Sequence, residues 1–256
     1  MTRARNVFIT GASAGLGAAL ARSYARAGAN VGLFARRRKE LAEVAASLPL
    51  ERRAVYTGDV RDVDALATAA TEFIARFGCP DAVIANAGVS RGVLTEPADL
   101  PTFRATLDTN VLGIVNTFAP FVGAMRTSRH GALVGIASIA GFRGLPGSSA
   151  YSASKAAAIA YLESLRIEER DNGVAVLTIC PGYIATEMTA RNPYRMPFLL
   201  DADEAARRIM RAIERRQKFY VLPWPMAFAG TVLRMMPRPI YDALFARAPR
   251  KPRTPG

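Results

Sequence analysis

The sequence predicts an α/β fold in which a doubly wound parallel sheet of about seven strands carries helices on both faces. Three observations support this fold. Short apolar runs alternate with helical patterns along the 256 residues, and repeated strand–helix units form parallel sheets. The apolar runs are hydrophobic throughout, which is typical of strands covered on both faces. No internal repeat or low-complexity linker interrupts the pattern, so residues 1–256 are predicted to form a single domain.

Each element is predicted from its own stretch of the chain. Apolar runs predict strands at 6–10, 30–35, 54–60, 81–88, 131–138, 174–180 and 219–222. Helical patterns predict helices at 15–28, 38–48, 62–77, 101–127, 151–170 and 201–217. Ligands of such sheets bind beyond the carboxyl ends of the strands, so functional residues are expected just after each strand.

Composition and charge narrow the class of protein. The two cysteines, Cys79 and Cys180, each lie in an apolar run, which indicates reduced thiols rather than a disulfide scaffold. The N-terminal sequence lacks a signal-peptide core and no run reaches the ~20 apolar residues of a membrane span, so a cytoplasmic protein is expected. Of the net charge of +13, residues 190–256 carry +9, from 14 Lys/Arg against 5 Asp/Glu. A basic tail suggests nucleic acid or an anionic membrane as partner, but no nucleic-acid-binding signature is present, so no nucleic-acid partner is predicted.

The first strand is followed by a glycine-rich segment, TGASAGLG, at 10–17. Glycines let the backbone approach a pyrophosphate closely, and the following helix points its N-terminal amides at that anion. The spacing differs from the usual G-x-G-x-x-G by two extra residues, and an ordinary turn is the alternative. The predicted cofactor contacts here are Gly11, Ser13, Ala14, Gly15, Leu16 and Gly17.

The end of the second strand indicates which dinucleotide binds. An NAD site has an acidic residue here that accepts from the ribose 2′-hydroxyl, but Ala35 occupies the position and Arg36 and Arg37 follow it. Forked arginine donors suit a 2′-phosphate, and Ser13 can add a hydroxyl. NADP(H) is therefore the predicted cofactor, the alternative being that the arginines are the solvated start of a helix.

Three later strand ends fit the remainder of a dinucleotide. Asp59 and Val60 are placed to contact adenine, and the segment 86–88 offers an unbranched backbone near a ribose. The segment 181–186 offers a turn and a hydroxyl near the nicotinamide carboxamide. Each alone is also compatible with simple turn chemistry. The predicted contacts in the two segments are Asn86, Ala87, Gly88, Pro181, Gly182, Ile184 and Thr186.

A tyrosine and a lysine stand four residues apart in the alanine-rich segment after the fifth strand, at Tyr151 and Lys155. Residues at this spacing are neighbours on a helix. A lysine cation favours the phenolate and lowers the pKa of the tyrosine, which makes it a proton donor or acceptor near neutral pH. The alternative is a surface pair on an alanine-rich helix.

Taken together, these motifs resemble the short-chain dehydrogenase/reductase family in its compact single-domain branch. The matching parts are the segments 10–17, 59–60, 86–88, 151–155 and 181–186, with Asn110 and Ser138. The resemblance covers about residues 6–223. It implies a Rossmann-type fold and an oxidoreductase that transfers a hydride between NADP(H) and a carbonyl or secondary alcohol. It also implies a homodimer or homotetramer that pairs through the helices at 101–127 and 151–170.

The resemblance also implies roles for four catalytic residues. Tyr151 would donate a proton to a carbonyl oxygen or accept one from an alcohol, and Lys155 would lower its pKa and hold the nicotinamide ribose. Ser138 would hydrogen-bond the substrate oxygen, and Asn110 would hold a water that links Lys155 to solvent. His130, the only histidine, is interpreted as a loop residue without a catalytic role, and no metal site is predicted.

The substrate segments predict a lipophilic pocket for a lipid-like or aromatic small molecule. The residues predicted to line it are Phe142, Leu145, Tyr183 and Met188, with Pro146, Tyr194, Met196 and Phe198 as further members. The irregular run 188–200 is predicted to be a substrate lid. Arg143, Arg191 and Arg195 either meet an acidic group of the substrate or face water.

Residues 224–256 form a basic, amphipathic C-terminal extension. Its segments 226–236 and 240–253 mix large apolar residues with arginine and are too short to span a bilayer. They can lie at the inner face of an anionic membrane, or they can cover the substrate pocket or pack on a partner subunit. Two functions thus remain besides the enzyme: a dinucleotide sensor with vestigial chemistry, and a membrane-surface interaction protein.

Overall fold

A computed structural model describes residues 5–190, 192 and 195–251 and contains one seven-stranded sheet. The strand order is β3-β2-β1-β4-β5-β6-β7, and all neighbouring strands are parallel. The strands are β1 Asn6–Thr10, β2 Asn30–Ala35, β3 Arg53–Thr57, β4 Ala82–Ala85, β5 Ala132–Ile136, β6 Ala175–Pro181 and β7 Phe219–Leu222. The predicted parallel sheet of seven strands is confirmed.

Helices cover both faces of this sheet. They are α1 Gly15–Arg26, α2 Arg38–Ala46, α3 Val63–Phe77, α4 Leu100–Leu107, α5 Gly113–Ser128, α6 Ser149–Glu168, α7 Glu187–Ala190, α8 Ala202–Glu214, α9 Trp224–Met235 and α10 Arg238–Phe245. One core cluster contains Leu20, Leu41 and Ile209 from α1, α2 and α8, and the other contains Phe73 and Leu162 from α3 and α6. The strand order reverses between β1 and β4, which places a binding crevice beyond their carboxyl ends.

The predicted helix at 101–127 is interrupted in the structure. The segment Asp108–Leu112 between α4 and α5 is π-helical, and its Asn110 is fully buried. A π-turn inserts an extra residue and commonly marks a functional position. The strands predicted at 54–60, 81–88 and 131–138 likewise end early, because their last residues form the loops at the carboxyl edge of the sheet.

The C-terminal extension folds back onto the segment 141–148. A nitrogen of the Arg143 guanidinium donates to the carbonyls of Arg234 at 3.4 Å and Met236 at 3.1 Å. The same guanidinium lies 4.2 Å from the ring centroid of Tyr241, whose hydroxyl donates to the Gly144 carbonyl at 2.5 Å. The extension thus packs on a predicted substrate segment. Arg143 holds it in place, which neither alternative for that residue anticipated.

Candidate active site

The first turns of α6 carry Tyr151 and Lys155. Lys155 is buried, and its Nζ donates to the Ile136 carbonyl at the end of β5 at 2.7 Å. This Nζ lies 5.8 Å from the centroid of the Tyr151 ring. The backbone at Gly141 packs against the helix so closely that a Cβ there would lie 2.7 Å from the Lys155 carbonyl carbon. The small side chains around Tyr151 and Lys155 therefore let the loop after β5 pack directly against α6.

Ser138 follows the end of β5 and lies beside the Tyr151 phenol. Its buried Oγ accepts from the Ala140 N–H at 3.1 Å and donates to the Pro181 carbonyl at 3.4 Å. A side-chain hydrogen bond from Ser138 also acts on the Tyr151 phenol, in the direction that lowers its pKa. Ser138 therefore joins the ends of β5 and β6 to the phenol.

Burial controls the proton affinities of the pair. It raises the pKa of Tyr151, and the Ser138 hydrogen bond opposes this only in part. Burial also lowers the pKa of Lys155 to about 8. The sequence predicted the opposite direction for Tyr151. The difference arises because desolvation of the half-buried Tyr151 side chain outweighs the Ser138 hydrogen bond, while the Lys155 ammonium is bonded to the Ile136 carbonyl.

Asn110 approaches from the π-helical segment. Its Oδ1 accepts from the Val89 N–H at 2.8 Å, and its Nδ2 donates to the Val89 carbonyl and to Ser154 Oγ, both at 2.9 Å. A Cβ at Gly88 would lie 3.2 Å from Asn110 Oδ1 and 3.7 Å from Lys155 Nζ. The four predicted catalytic residues therefore meet around the carboxyl ends of β4 and β5.

The glycine-rich loop lies at the neighbouring strand end. Gly11 and Gly15 have φ values of 67° and 53°, a region that favours glycine. A Cβ at Gly11 would lie 2.8 Å from the Ala87 Cα, and one at Gly17 would run into the Gly11 carbonyl. Asn86 Nδ2 donates to the Gly11 carbonyl at 3.3 Å. The loops after β1 and β4 therefore pack backbone to backbone at the topological switch point.

The residues of this loop fit the phosphates of a dinucleotide. α1 begins directly after Ala14, which makes no side-chain cap hydrogen bond, so no cap side chain competes with an anion for its first-turn amides. The side chains of Leu16, Val60 and Ile184 are buried. At these three predicted contacts a cofactor would meet backbone atoms.

The two arginines after β2 have different partners. Arg36 Nη1 lies 3.4 Å from Asp59 Oδ2, whereas Arg37 Nε donates to Ser13 Oγ in the glycine-rich loop at 3.4 Å. Asp59 also accepts from Arg61 at 2.7 Å, and this hydrogen bond lowers the pKa of Asp59 to about 2. Sequence reasoning missed Arg61, although its position two residues after the carboxylate was a usable signal.

A second omission is Glu187 at the start of α7. Its Oε2 accepts from Arg37 Nη1 at 2.9 Å. A Cβ at Gly15 would lie 3.1 Å from the Thr186 side chain, so the segment 181–186 faces the glycine-rich loop. Glu187 is 150 residues away from Arg37 in the chain, and no local pattern predicts such a contact.

The predicted substrate residues are less closely grouped. Phe142 stacks on Phe219 with ring centroids 6.1 Å apart, and a Cβ at Gly230 would lie 2.6 Å from its ring. Phe142 therefore packs against β7 and α9. Leu145 and Tyr183 are half-buried at the carboxyl edge of the sheet, and Met188 is 42% exposed.

The predicted lid 188–200 is anchored at its C-terminal end. Ile184 forms a parallel bridge with Leu200, while Phe198 and Arg195 are exposed, so Arg195 faces water. Pro146 and Met196 are half-buried. Arg191 and Tyr194 lie outside the described residues.

His130 lies at the opposite edge of the sheet. Its Nε2 lies 2.8 Å from Asp81 Oδ1. Asp81 directly precedes β4, and His130 lies two residues before the start of β5. Across the part of the chain that the structure describes, no three His, Cys, Asp or Glu side chains are grouped to hold a metal ion.

Comparison with known families identifies the family to which the chain belongs. Residues 5–195 match the family model of the short chain dehydrogenases. The chain belongs to the short-chain dehydrogenase family. The matched residues include every predicted catalytic residue and end before the C-terminal extension.

Individual proteins with similar sequences or structures are oxidoreductases by name. A Myxococcus xanthus protein named as an uncharacterized oxidoreductase is 38% identical over 250 residues, which covers 95% of this chain and 97% of that protein. The structure of a Streptomyces avermitilis short-chain dehydrogenase has a TM-score of 0.79 at 27% identity and covers 96% of this chain and 95% of its own. An alcohol dehydrogenase of Thermococcus sibiricus, complexed with 5-hydroxy-NADP, has a TM-score of 0.77 at 26% identity, with 85% and 95% covered.

Proposed function

We propose that the protein is an NADP(H)-dependent oxidoreductase that transfers a hydride between the nicotinamide and a carbonyl or secondary alcohol of a lipophilic substrate. The observation that carries this proposal is the meeting of Tyr151, Ser138, Lys155 and Asn110 beside the crevice between β1 and β4. A dinucleotide sensor does not require this set, because binding alone uses neither the half-buried Tyr151 phenol nor the serine beside it.

In the proposed reaction, Tyr151 donates its hydroxyl proton to the carbonyl oxygen. Bound NADPH would supply the hydride to the carbonyl carbon. Ser138 holds the oxygen through its hydroxyl, and the buried ammonium of Lys155 binds the nicotinamide ribose. Asn110, fixed by its hydrogen bonds to Val89, holds the water through which Lys155 exchanges protons with solvent. General acid catalysis of this kind contributes about 10²–10⁴-fold in rate.

The choice of NADP(H) is supported by the arginines after β2. Arg37 already contacts Ser13 in the glycine-rich loop, and Arg36 lies beside Asp59 at the end of β3. A 2′-phosphate placed between them would accept from both guanidinium groups. The Thermococcus sibiricus relative was solved with an NADP derivative, which also supports this choice.

Turnover tests the proposal directly. The purified protein is mixed with NADPH and a panel of ketones and aldehydes that includes aromatic and long-chain members. We expect NADPH oxidation that depends on a lipophilic carbonyl compound. NADPH binding without turnover of any member would instead favour the sensor.

Replacing Glu187 by glutamine should tighten NADPH binding. The Glu187 carboxylate accepts a hydrogen bond from Arg37, which is also proposed to bind the 2′-phosphate. The carboxylate would therefore repel that phosphate. Because the pair is exposed, we expect only about a two- to fivefold lower Kd, measured by NADPH fluorescence. Glu43→Gln is the control, since Glu43 is an exposed carboxylate on α2. A Kd that rises in Glu187→Gln would contradict this account of Arg37.

We further propose that the enzyme is a homodimer or homotetramer. Leu112 before α5 is 53% exposed and Ile167 on α6 is 66% exposed. Large apolar side chains left exposed on the outer helices of a sheet are suited to pairing between copies. Light scattering during size-exclusion chromatography measures the assembly.

The C-terminal extension supports a third proposal, peripheral contact with the inner face of an anionic membrane. The outer face of α9 is apolar: Trp224 is 77% exposed, Phe228 71% and Met235 78%. In α10, Ile240 and Leu244 are 57% and 62% exposed. No helix in the described part of the chain is long and apolar enough to cross a bilayer. The proposed contact is interfacial, since short helices with an exposed apolar face bind in that region.

Charge favours a lipid surface over a second copy of the chain at this face. Between 224 and 250 the extension carries Arg234, Arg238, Arg247 and Arg250 against Asp242. In a two-fold dimer the same patch faces itself, which would bring these cations together. Anionic headgroups would neutralise them instead.

Vesicle sedimentation tests this contact. We expect the protein to pellet with anionic vesicles at low salt, to be released by salt, and to stay in solution with neutral vesicles. The double substitution Trp224→Ala and Phe228→Ala should abolish pelleting. Leu50→Ala, which removes a 71% exposed side chain elsewhere, should not. Equal pelleting by all three proteins would exclude this face as the contact.

A further inference from the structure

The tail after α10 runs across the segment 141–148. A Cβ at Gly147 would lie 2.7 Å from the Lys251 backbone nitrogen and 2.9 Å from the Arg250 Cβ. Gly147 also has a φ of 71°, which favours glycine. The tail backbone therefore lies directly on a residue that has no side chain.

The tail also reaches the loop that follows β4. The Val93 N–H donates to the Gly147 carbonyl at 3.1 Å, and Val93 forms a parallel bridge with Ser148. The loops after β4 and β5 therefore lie side by side beyond the carboxyl edge of the sheet. Lys251 crosses both, and its Nζ donates to Ser90 Oγ at 2.7 Å.

Ser90 lies close to the proposed catalytic residues. It follows Val89, whose N–H and carbonyl both bind Asn110. It is two residues from Gly88, where a Cβ would be 3.7 Å from Lys155 Nζ. Two residues span at most about 7 Å of chain. The Lys251 ammonium is thus held on the loop after β4 that also contacts Asn110, close to the proposed catalytic residues.

The electrostatic setting of Lys251 suits an anion. The side chain is half-buried, and burial lowers its pKa. The observed hydrogen-bond partner is a neutral hydroxyl, which leaves the charge uncompensated within that contact. Arg91 and Arg250, both exposed, flank the contact and add to the positive potential that an approaching acidic substrate meets.

We propose that Lys251 binds an acidic group of the substrate, so that the enzyme acts on lipophilic carbonyl compounds that carry a carboxylate or a phosphate. This inference rests on the proposed function and deepens it, because it names the class of substrate and the residue of the extension that would recognise it. The apolar residues near the pocket would hold the body of such a compound, and the tail would hold its charged end.

Kinetics with a matched pair of substrates test the assignment. The aromatic keto acid 4-benzoylbutyrate is compared with its methyl ester, and dihydroxyacetone phosphate is the phosphate probe. In Lys251→Met we expect KM for the keto acid to rise about tenfold or more, since a charged hydrogen bond is lost. KM for the ester and kcat for both should stay unchanged, and Lys251→Arg should retain the low KM. Arg247→Met is the control, because Arg247 is an exposed cation of the same tail.

A binding measurement separates this inference from the proposed function. The melting temperature of the full chain is measured with each compound, without cofactor. We expect the keto acid, the phosphate or both to raise it in the wild type and in Arg247→Met but not in Lys251→Met, and the two acids tell carboxylate from phosphate. Such a shift of the melting temperature without turnover would refute the proposed function but support the anion site at Lys251. Equal losses for acid and ester, equal effects of both tail substitutions, or no stabilisation by either acid would overturn the inference.

Discussion

Replacing Tyr151 by phenylalanine is expected to lower carbonyl reduction at least about 10²-fold. The substitution removes the phenolic hydroxyl and keeps the ring that packs 5.8 Å from Lys155 Nζ. The fold and the cofactor site should therefore be unchanged, and NADPH should bind with the wild-type Kd. Steady-state rates with the best carbonyl compound of the panel, together with NADPH fluorescence titrations, measure the two quantities.

The control for this variant is Tyr161→Phe, which removes the hydroxyl of a half-buried tyrosine on the same helix. We expect it to reduce carbonyls at the wild-type rate. The pH dependence gives a second readout. Because burial raises the pKa of Tyr151, the phenol stays protonated at neutral pH and serves reduction there. Alcohol oxidation needs the phenolate and should increase toward alkaline pH. A Tyr151→Phe enzyme with near-normal turnover would refute the proposed mechanism.

The wild-type enzyme is expected to prefer NADPH over NADH, and substitutions after β2 should reverse the preference. Charged hydrogen bonds contribute about 1.5–3 kcal/mol each, which is about ten- to a hundredfold in affinity. Ala35→Asp with Arg36→Ala places a ribose-binding carboxylate at the end of β2 and removes one guanidinium. Arg37→Ala alone should weaken NADPH but not NADH, because Arg37 contacts Ser13 in the glycine-rich loop.

The ratio of kcat/KM for the two cofactors measures this preference. Arg38→Ala is the matched control, because Arg38 is the next arginine in the chain and is exposed at the start of α2. We expect its ratio to equal that of the wild type. A wild-type ratio that favours NADH would disprove the role of both Arg36 and Arg37.

Much of the fold follows from the sequence alone. The predicted bounds of β1, β2 and β7 agree with the structure, because continuous apolar runs flanked by polar residues leave little choice of register in a buried parallel sheet. Gly11 and Gly17 could also be placed, since their role depends on the local absence of a side chain. The family resemblance followed from such short motifs, and the family match confirms it.

The structure added what depends on residues far apart in the chain. Arg37 meets Glu187 and Lys251 meets Ser90 across 150 and 161 residues, and Arg143 holds the C-terminal extension. Periodicity and motifs report which face of an element is buried, but not which distant segment covers it. The pKa of Tyr151 also depends on tertiary structure. Its spacing to Lys155 predicts a lower pKa, whereas burial raises the pKa, and only the packed structure defines burial. The sequence thus determined the sheet, the loops and the family, and tertiary packing decided the partners and proton affinities of the charged and titratable groups around the site.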